Sequence, residues 1–186
     1  MRKFSLFVYS GLGIFTICVL FLCCKPIEQA KATAVNKQEQ SISDKLKWSE
    51  RMALSIMKRH PKAWQIDYHE KPKWDYKIGM ILTAYEKLYA QTKEEKYFDY
   101  IKGYADTLID DSGNFQNFNP QDHNIDFINA GKILFGLYNK TQNQKYLKAL
   151  QTLRNQFVDY PRTVSGGFWH KKIYPNQMWL DGLYMG

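Results

Sequence analysis

The sequence predicts an all-α protein built from stacked helical hairpins. After about residue 43, apolar residues recur at intervals of about three and four. No run alternates regularly enough to predict a β-strand. The pattern Leu88-Tyr-x-x-Thr-x-x-x-Lys-Tyr97 recurs as Leu137-Tyr-x-x-Thr-x-x-x-Lys-Tyr146, with five identities at an offset of 49 residues. Each copy spans a helix end, a polar turn and the next helix start, so the period indicates two helices per repeat.

Such hairpins form either an open superhelix or a closed α/α toroid, the (α/α)6 barrel. A closed toroid of this period needs about 300 residues, since it stacks about six hairpins. Residues 44–186 supply about three hairpins. If the closed form applies, the chain is expected to be a truncated N-terminal half of the barrel, and the missing C-terminal half would be its partner.

Five helices are predicted in the order of the chain. Ser43 or Asp44 can cap the first helix, and Pro61 ends it. The second is expected to begin at Trp74 or Tyr76 and to end near Thr92. The other three are predicted at about 94–110, 125–140 and 143–158, with a loop rich in turn residues at 111–123.

The N-terminus is predicted to be an export signal. Arg2 and Lys3 precede an uncharged apolar run that reaches about Leu22, and the run is followed by Cys23 and Cys24. This arrangement resembles a bacterial lipoprotein signal at residues 1–24, with Cys24 as the lipidated residue. The alternative is ordinary cleavage near Ala30-Lys-Ala or Ala32-Thr-Ala. Residues 25–43 are polar and aperiodic and are predicted to be a linker. The expected location is the periplasm or an outer membrane, through a lipid anchor.

Charge narrows the function only slightly. Without residues 1–24 the chain has 24 basic and 18 acidic side chains, a net charge of +6. This charge suits an acidic ligand, although a solvated basic face explains it equally well. Export and the lack of a dense basic block argue against a nucleic-acid partner. The four histidines are scattered and no phosphate-binding loop is present, so the sequence predicts no metal site and no cofactor.

The chemistry-bearing residues lie in two segments. Between Pro161 and Met185, aromatic rings accompany His170, Lys171 and Asp181, a combination that suits an acidic sugar. Asp126 follows an earlier loop, 55 residues before Asp181. Equivalent places in successive hairpins would put both carboxylates at one rim, where they could divide acid and base roles. The alternatives are a helix N-cap for Asp126 and a solvated pair for Lys171 and its neighbour.

These motifs resemble the unsaturated rhamnogalacturonyl hydrolases of glycoside hydrolase family 105, which are related to the family 88 unsaturated glucuronyl hydrolases. The resemblance rests on Gly166-Gly-Phe-Trp-His-Lys171, Tyr174-Pro-Asn-Gln-Met-Trp-Leu-Asp-Gly-Leu-Tyr-Met185 and Asn124-Ile-Asp-Phe-Ile-Asn-Ala-Gly131, and extends over about residues 44–186. It implies an (α/α)6 barrel that acts on the 4,5-unsaturated uronic acid of lyase-generated pectin oligosaccharides.

The resemblance also implies roles for individual residues. Asp181 corresponds to the general acid/base and Asp126 to the second carboxylate. His170 and Lys171 correspond to substrate-contacting groups, and Trp179, Trp74 and Tyr76 to walls of the site. A different class of function, a noncatalytic glycan-binding component of a surface polysaccharide system, stays open, although a binder has no need for an acid pair.

Overall fold

The computed structural model describes residues 42–186. The signal peptide, most of the linker and the lipidation of Cys24, all predicted within residues 1–41, lie outside the described residues. The described chain contains these α-helices: α1 Trp48–Arg59, α2 Tyr76–Thr92, α3 Glu95–Leu108, α4 Ile125–Asn129, α5 Ile133–Thr141, α6 Gln144–Asn155 and α7 Gly182–Met185. Short 3₁₀ turns occur at Ala63–Tyr68, Pro120–Asp122 and Ala130–Lys132.

The helical fold class is confirmed. Helices α2 and α3 form one hairpin, and α5 and α6 form the next. Helix α2 also packs against α4, α5 and the 3₁₀ turn between them, so the two hairpins share one core. Within residues 42–186, extended segments meet only as isolated bridges between single residues. No helix in this part of the chain is both long and apolar enough to cross a membrane.

The repeated sequence pattern produces two turns of the same construction. In the first hairpin, the Thr92 hydroxyl donates to the carbonyl of Leu88 over 3.0 Å. In the second, the Thr141 hydroxyl donates to the carbonyl of Leu137 over 2.7 Å. Each threonine oxygen also accepts the backbone N–H two residues further on, at 3.3 and 3.2 Å. The repeat therefore encodes local geometry, as its spacing predicts.

Both turns end their helix with a left-handed residue. Lys93 has a φ of 59° and Gln142 a φ of 54°. Each donates its backbone N–H to the carbonyl four residues earlier, which satisfies a carbonyl that the helix leaves open. The repeat's final tyrosines, Tyr97 and Tyr146, are fully buried at the start of the returning helices. The turn and the core contact after it thus recur together.

Several helix boundaries differ from the predictions. The first helix begins at Trp48 and not at Ser43 or Asp44, because Ser43 makes its own turn with Lys45 and Leu46. The Glu50 carboxylate then accepts the backbone N–H of Lys47 at the actual helix start. The predicted helix 125–140 contains the 3₁₀ turn Ala130–Lys132, and the helix predicted at 143–158 ends at Asn155.

Close backbone contact accompanies the 3₁₀ turn. A β-carbon placed on Gly79 in α2 would lie 2.4 Å from the α-carbon of Ala130. Only a glycine admits such an approach without a shift of one segment. This contact holds α2 against the segment that begins with α4, and α4 carries Asp126.

Candidate active site

A two-bond bridge joins the segments that carry the candidate site residues. Asn124 pairs with Lys171 in antiparallel fashion. The backbone N–H of Ile125 donates to the carbonyl of His170 over 3.2 Å, and that of Lys172 donates to the carbonyl of His123 over 3.1 Å. The start of α4 is therefore fixed beside residues 170–172, which are far away in sequence.

Asp126 points into this junction and is not the helix cap. Asn124 caps α4, because its side-chain oxygen accepts the backbone N–H of Asp126 over 3.1 Å. The Asp126 side chain is 15% exposed, and its Oδ2 lies 2.7 Å from Nζ of Lys171. Its Oδ1 lies 3.4 Å from Nε2 of His170. The capping alternative for Asp126 is therefore wrong, and Lys171 is not a merely solvated cation.

His170 lies between the two carboxylates that the sequence singles out. Its side chain is 1% exposed, with Nε2 towards Asp126 and Nδ1 3.9 Å from Oδ1 of Asp181. The second distance is too long for a direct hydrogen bond. Burial lowers the pKa of His170; the two carboxylates oppose this shift and Lys171 adds to it. The imidazole is therefore neutral at neutral pH and has one N–H to donate.

Aromatic rings cover this group. The Trp179 ring is parallel to the His170 ring, with the centroids 4.1 Å apart and an interplanar angle of 4°. Tyr174 is also nearly parallel to Trp179, at 5.6 Å and 12°. Nζ of Lys171 lies 6.0 Å from the centroid of the Trp179 ring. The Trp179 ring therefore shields the His170 imidazole from solvent. The Trp179 side chain itself stays partly exposed.

Asp181 provides the accessible carboxylate of the pair. It directly precedes α7, as the sequence predicts for a helix start, and its backbone carbonyl accepts the N–H groups of Tyr184 and Met185. Its side chain is 56% exposed. One carboxylate is thus largely buried and paired with a cation, whereas the other faces solvent. This asymmetry allows the two acids different roles.

Trp74 lies in the core and not in a wall of the site, whereas the expected wall role of Tyr76 stays a prediction. Trp74 is fully buried, is stacked on Tyr104 at 5.4 Å, and donates its Nε1–H to the carbonyl of Phe127 over 2.7 Å. Its face is therefore part of the core and not available to a sugar, which corrects the expectation for Trp74. Tyr76 is half-buried and packs against a small cluster of Ile125, Tyr160 and Met185 at the edge of the site.

A groove of about 260 Å³ runs along one side of His170 and Trp179. His170 and Trp179 contribute to it, as do Arg162, Phe168 and the glycines 166 and 167.

In residues 42–186, no three His, Cys, Asp or Glu side chains gather in a way that could hold a metal ion. The side chains present can bind and orient a polar ring and exchange a proton with it.

Stacked helical hairpins with two carboxylates beside one buried imidazole are compatible with a helical-toroid glycoside hydrolase, and similarity to known proteins gives the family. The family model described as Glycosyl Hydrolase Family 88 matches residues 48–186. The chain therefore belongs to this family. A solved structure, the family 105 glycoside hydrolase of C. acetobutylicum ATCC 824, is 42% identical, with a TM-score of 0.69. The match covers 76% of this chain and 37% of that one.

Sequence reasoning missed one residue of this region, Tyr160. Its hydroxyl donates to the carbonyl of His123 over 2.6 Å, and the carbonyl of His170 lies 3.4 Å away. No local motif indicates these contacts, because both acceptors are backbone atoms of distant segments. Its position directly before Pro161, where the recognised motif begins, is the signal that was available.

Proposed function

We propose that the protein is a hydrolase of the 4,5-unsaturated uronic acid at the non-reducing end of lyase-generated rhamnogalacturonan oligosaccharides. The observation that carries this proposal is the position of His170 between Asp126 and Asp181, with Lys171 on Asp126. The chain spans 37% of the length of the family 105 structure. We therefore propose, and do not assume, that it shares an activity with such a longer protein.

The proposed reaction adds water to a vinyl ether. Asp181, as the accessible carboxylic acid, gives a proton to C4, and the positive charge that develops at C5 is stabilised by the Asp126 carboxylate. Water adds at C5 and returns a proton to Asp181. The resulting hemiketal collapses, which opens the ring and releases the sugar behind it.

The other groups are proposed to bind the substrate. Lys171 would attract the uronate carboxylate as a point charge. His170 lines the groove but is 1% exposed, so substrate binding would have to uncover its one N–H before it could donate to a sugar oxygen. The partly exposed Trp179 would form one wall beside the ring. Because Lys171 already pairs with Asp126, substrate binding would redistribute the lysine's contacts between two carboxylates.

The ultraviolet absorbance of the conjugated double bond gives a direct assay. The chain should remove this absorbance from an unsaturated galacturonyl-rhamnose, and Asp181→Asn should lower kcat by at least about 100-fold. Asp111→Asn, which changes an exposed carboxylate in the loop after α3, is the matched control. Binding of the sugar without loss of absorbance would support the noncatalytic glycan-binding alternative instead.

We also propose that the protein is exported and lipid-anchored through Cys24. Labelling cells with a radioactive fatty acid should mark the protein, and Cys24→Ser should remove the label. The neighbouring Cys23→Ser is the control and should keep it. Label that persists in Cys24→Ser would contradict this assignment.

A further inference from the structure

We infer that Tyr160 is a positioning residue that holds Asp126 against His170. The inference rests on the proposed function in one respect: an effect of Tyr160 on turnover can be seen only if the protein has that activity. The structural part, the coupling between Asp126 and His170, does not depend on it. Tyr160 touches none of these side chains through its hydroxyl; it acts through the two backbone segments that carry them.

The first step is the weakness of the bridge itself. The junction between residues 123–125 and 170–172 consists of two backbone hydrogen bonds, at 3.1 and 3.2 Å. Two extended segments joined so briefly are marginally stable in water without further support. The ion pair of Asp126 and Lys171, at 2.7 Å, also joins the two segments, but through flexible side chains, so a further tie at the backbone would fix the register on which the pair depends.

The second step is that Tyr160 binds both acceptors of this bridge. The carbonyl of His123 accepts Lys172 N–H, and the carbonyl of His170 accepts Ile125 N–H. The Tyr160 hydroxyl donates to the first carbonyl over 2.6 Å and lies 3.4 Å from the second. A hydroxyl has a single hydrogen, so it is shared unequally between the two carbonyls. One side chain thus ties both bonds of the bridge together.

The third step is that the hydroxyl is fixed in place. Tyr160 is buried, and its ring packs against Phe157, Phe168 and His123. Burial raises the pKa of Tyr160, so its hydroxyl keeps the proton that it donates. The ring therefore supplies a rigid support for the bridge, in contrast to a mobile surface side chain.

The test is a double-mutant cycle read by the NMR titration of the His170 ring. In the wild-type background, Asp126→Asn should lower the pKa of His170 by about 0.5 or more, because the carboxylate raises that pKa. In the Tyr160→Phe background, the same change should have less than about half of this effect. The full effect of Asp126→Asn in Tyr160→Phe would overturn the inference.

Tyr85→Phe is the matched control. Tyr85 is also buried, and its hydroxyl also donates to a backbone carbonyl, that of Ala53 at 2.7 Å, but in the main core. In the Tyr85→Phe background, Asp126→Asn should lower the pKa of His170 by as much as it does in the wild type. A loss of coupling in Tyr85→Phe as well would assign the effect to general loosening of the fold and overturn the specific role of Tyr160.

Two further readings complete the test. If wild-type protein turns over substrate, Tyr160→Phe should lower kcat about tenfold and change KM less than about twofold; an unchanged kcat would contradict positioning. If wild-type protein shows no turnover, the proposed function fails and the titration alone decides. Should Tyr160→Phe not fold, the wild-type Tyr160 hydroxyl proton should show a nuclear Overhauser contact to the Lys172 amide, and its absence would overturn the inference.

Discussion

Nζ of Lys171 lies 2.7 Å from Oδ2 of Asp126, and both side chains are mostly shielded from solvent. The pair joins the loop before α7 to the first turn of α4. It also distinguishes Lys171 from its neighbour Lys172, which is exposed and pairs with no described carboxylate. Two adjacent lysines of the same motif therefore have different structural roles.

Lys171→Met should lower the free energy of unfolding by about 1–3 kcal/mol, because it leaves the Asp126 carboxylate largely buried without its ammonium partner. Urea denaturation measures this loss. Lys172→Met provides the control and should stay within about 0.5 kcal/mol of the wild type. Equal losses in the two variants would show that the Lys171 ion pair contributes nothing specific to stability.

Gly79→Ala should destabilise the protein by about 1–3 kcal/mol, because the added carbon would lie 2.4 Å from the α-carbon of Ala130 and force α2 away from the 3₁₀ turn after α4. Gly103→Ala in α3 is the matched substitution, since no atom would lie within 4 Å of the new carbon. That variant should gain up to about 1 kcal/mol from the better helix propensity of alanine. Thermal or urea unfolding of both variants tests the prediction, which fails if Gly79→Ala is as stable as Gly103→Ala.

Lys93→Gly should stabilise the first hairpin turn by about 0.5–1 kcal/mol, because a left-handed backbone is strained for residues with a β-carbon. The equivalent Gln142→Gly should gain less. The Gln142 side chain donates to the carbonyls of Tyr138 and Asn139, and glycine would lose these bonds. Urea denaturation of both variants gives the comparison. A larger gain for Gln142→Gly would show that its side-chain bonds contribute little.

The turns were predictable because their information is local. Thr92 and Thr141 bond to carbonyls four residues earlier, so the ten-residue repeat contains the whole motif. The predicted position of Asp181 at a helix start is confirmed for the same reason. The first helix boundary was not predictable from Ser43, because a capping residue can equally close a turn of its own.

The details of the site depend on contacts that local sequence does not contain. The family resemblance assigns Trp74 to a wall of the site, but a tryptophan in that position can equally be a core residue, and its partners Tyr104 and Phe127 show that it is one. Tyr160 carries no motif because its partners are backbone carbonyls. The burial of His170 between two acids likewise follows from tertiary packing.

The last prediction concerns acid destabilisation through His170. Burial holds the pKa of His170 below its unfolded value of about 6.5, so the unfolded state binds a proton more readily. Above the pKa of the unfolded state, burying the neutral His170 costs no stability through protonation. As the pH falls from that pKa through the lower pKa of the folded state, the free energy of unfolding decreases. Asp126, Asp181 and Lys171 all face the ring, and the carboxylates reduce the size of the effect without reversing it.

Unfolding free energies of wild type and His170→Gln, measured by urea denaturation between about pH 7.5 and pH 4.5, test this prediction. The difference between the two proteins should shrink as the pH falls, because only the wild type has to bury a group that tends to take up a proton. NMR titration of the His170 ring gives the folded pKa directly. Parallel stability curves, or a folded pKa above the unfolded value, would mean that the neighbouring carboxylates outweigh burial and that the imidazole is charged when it meets the substrate.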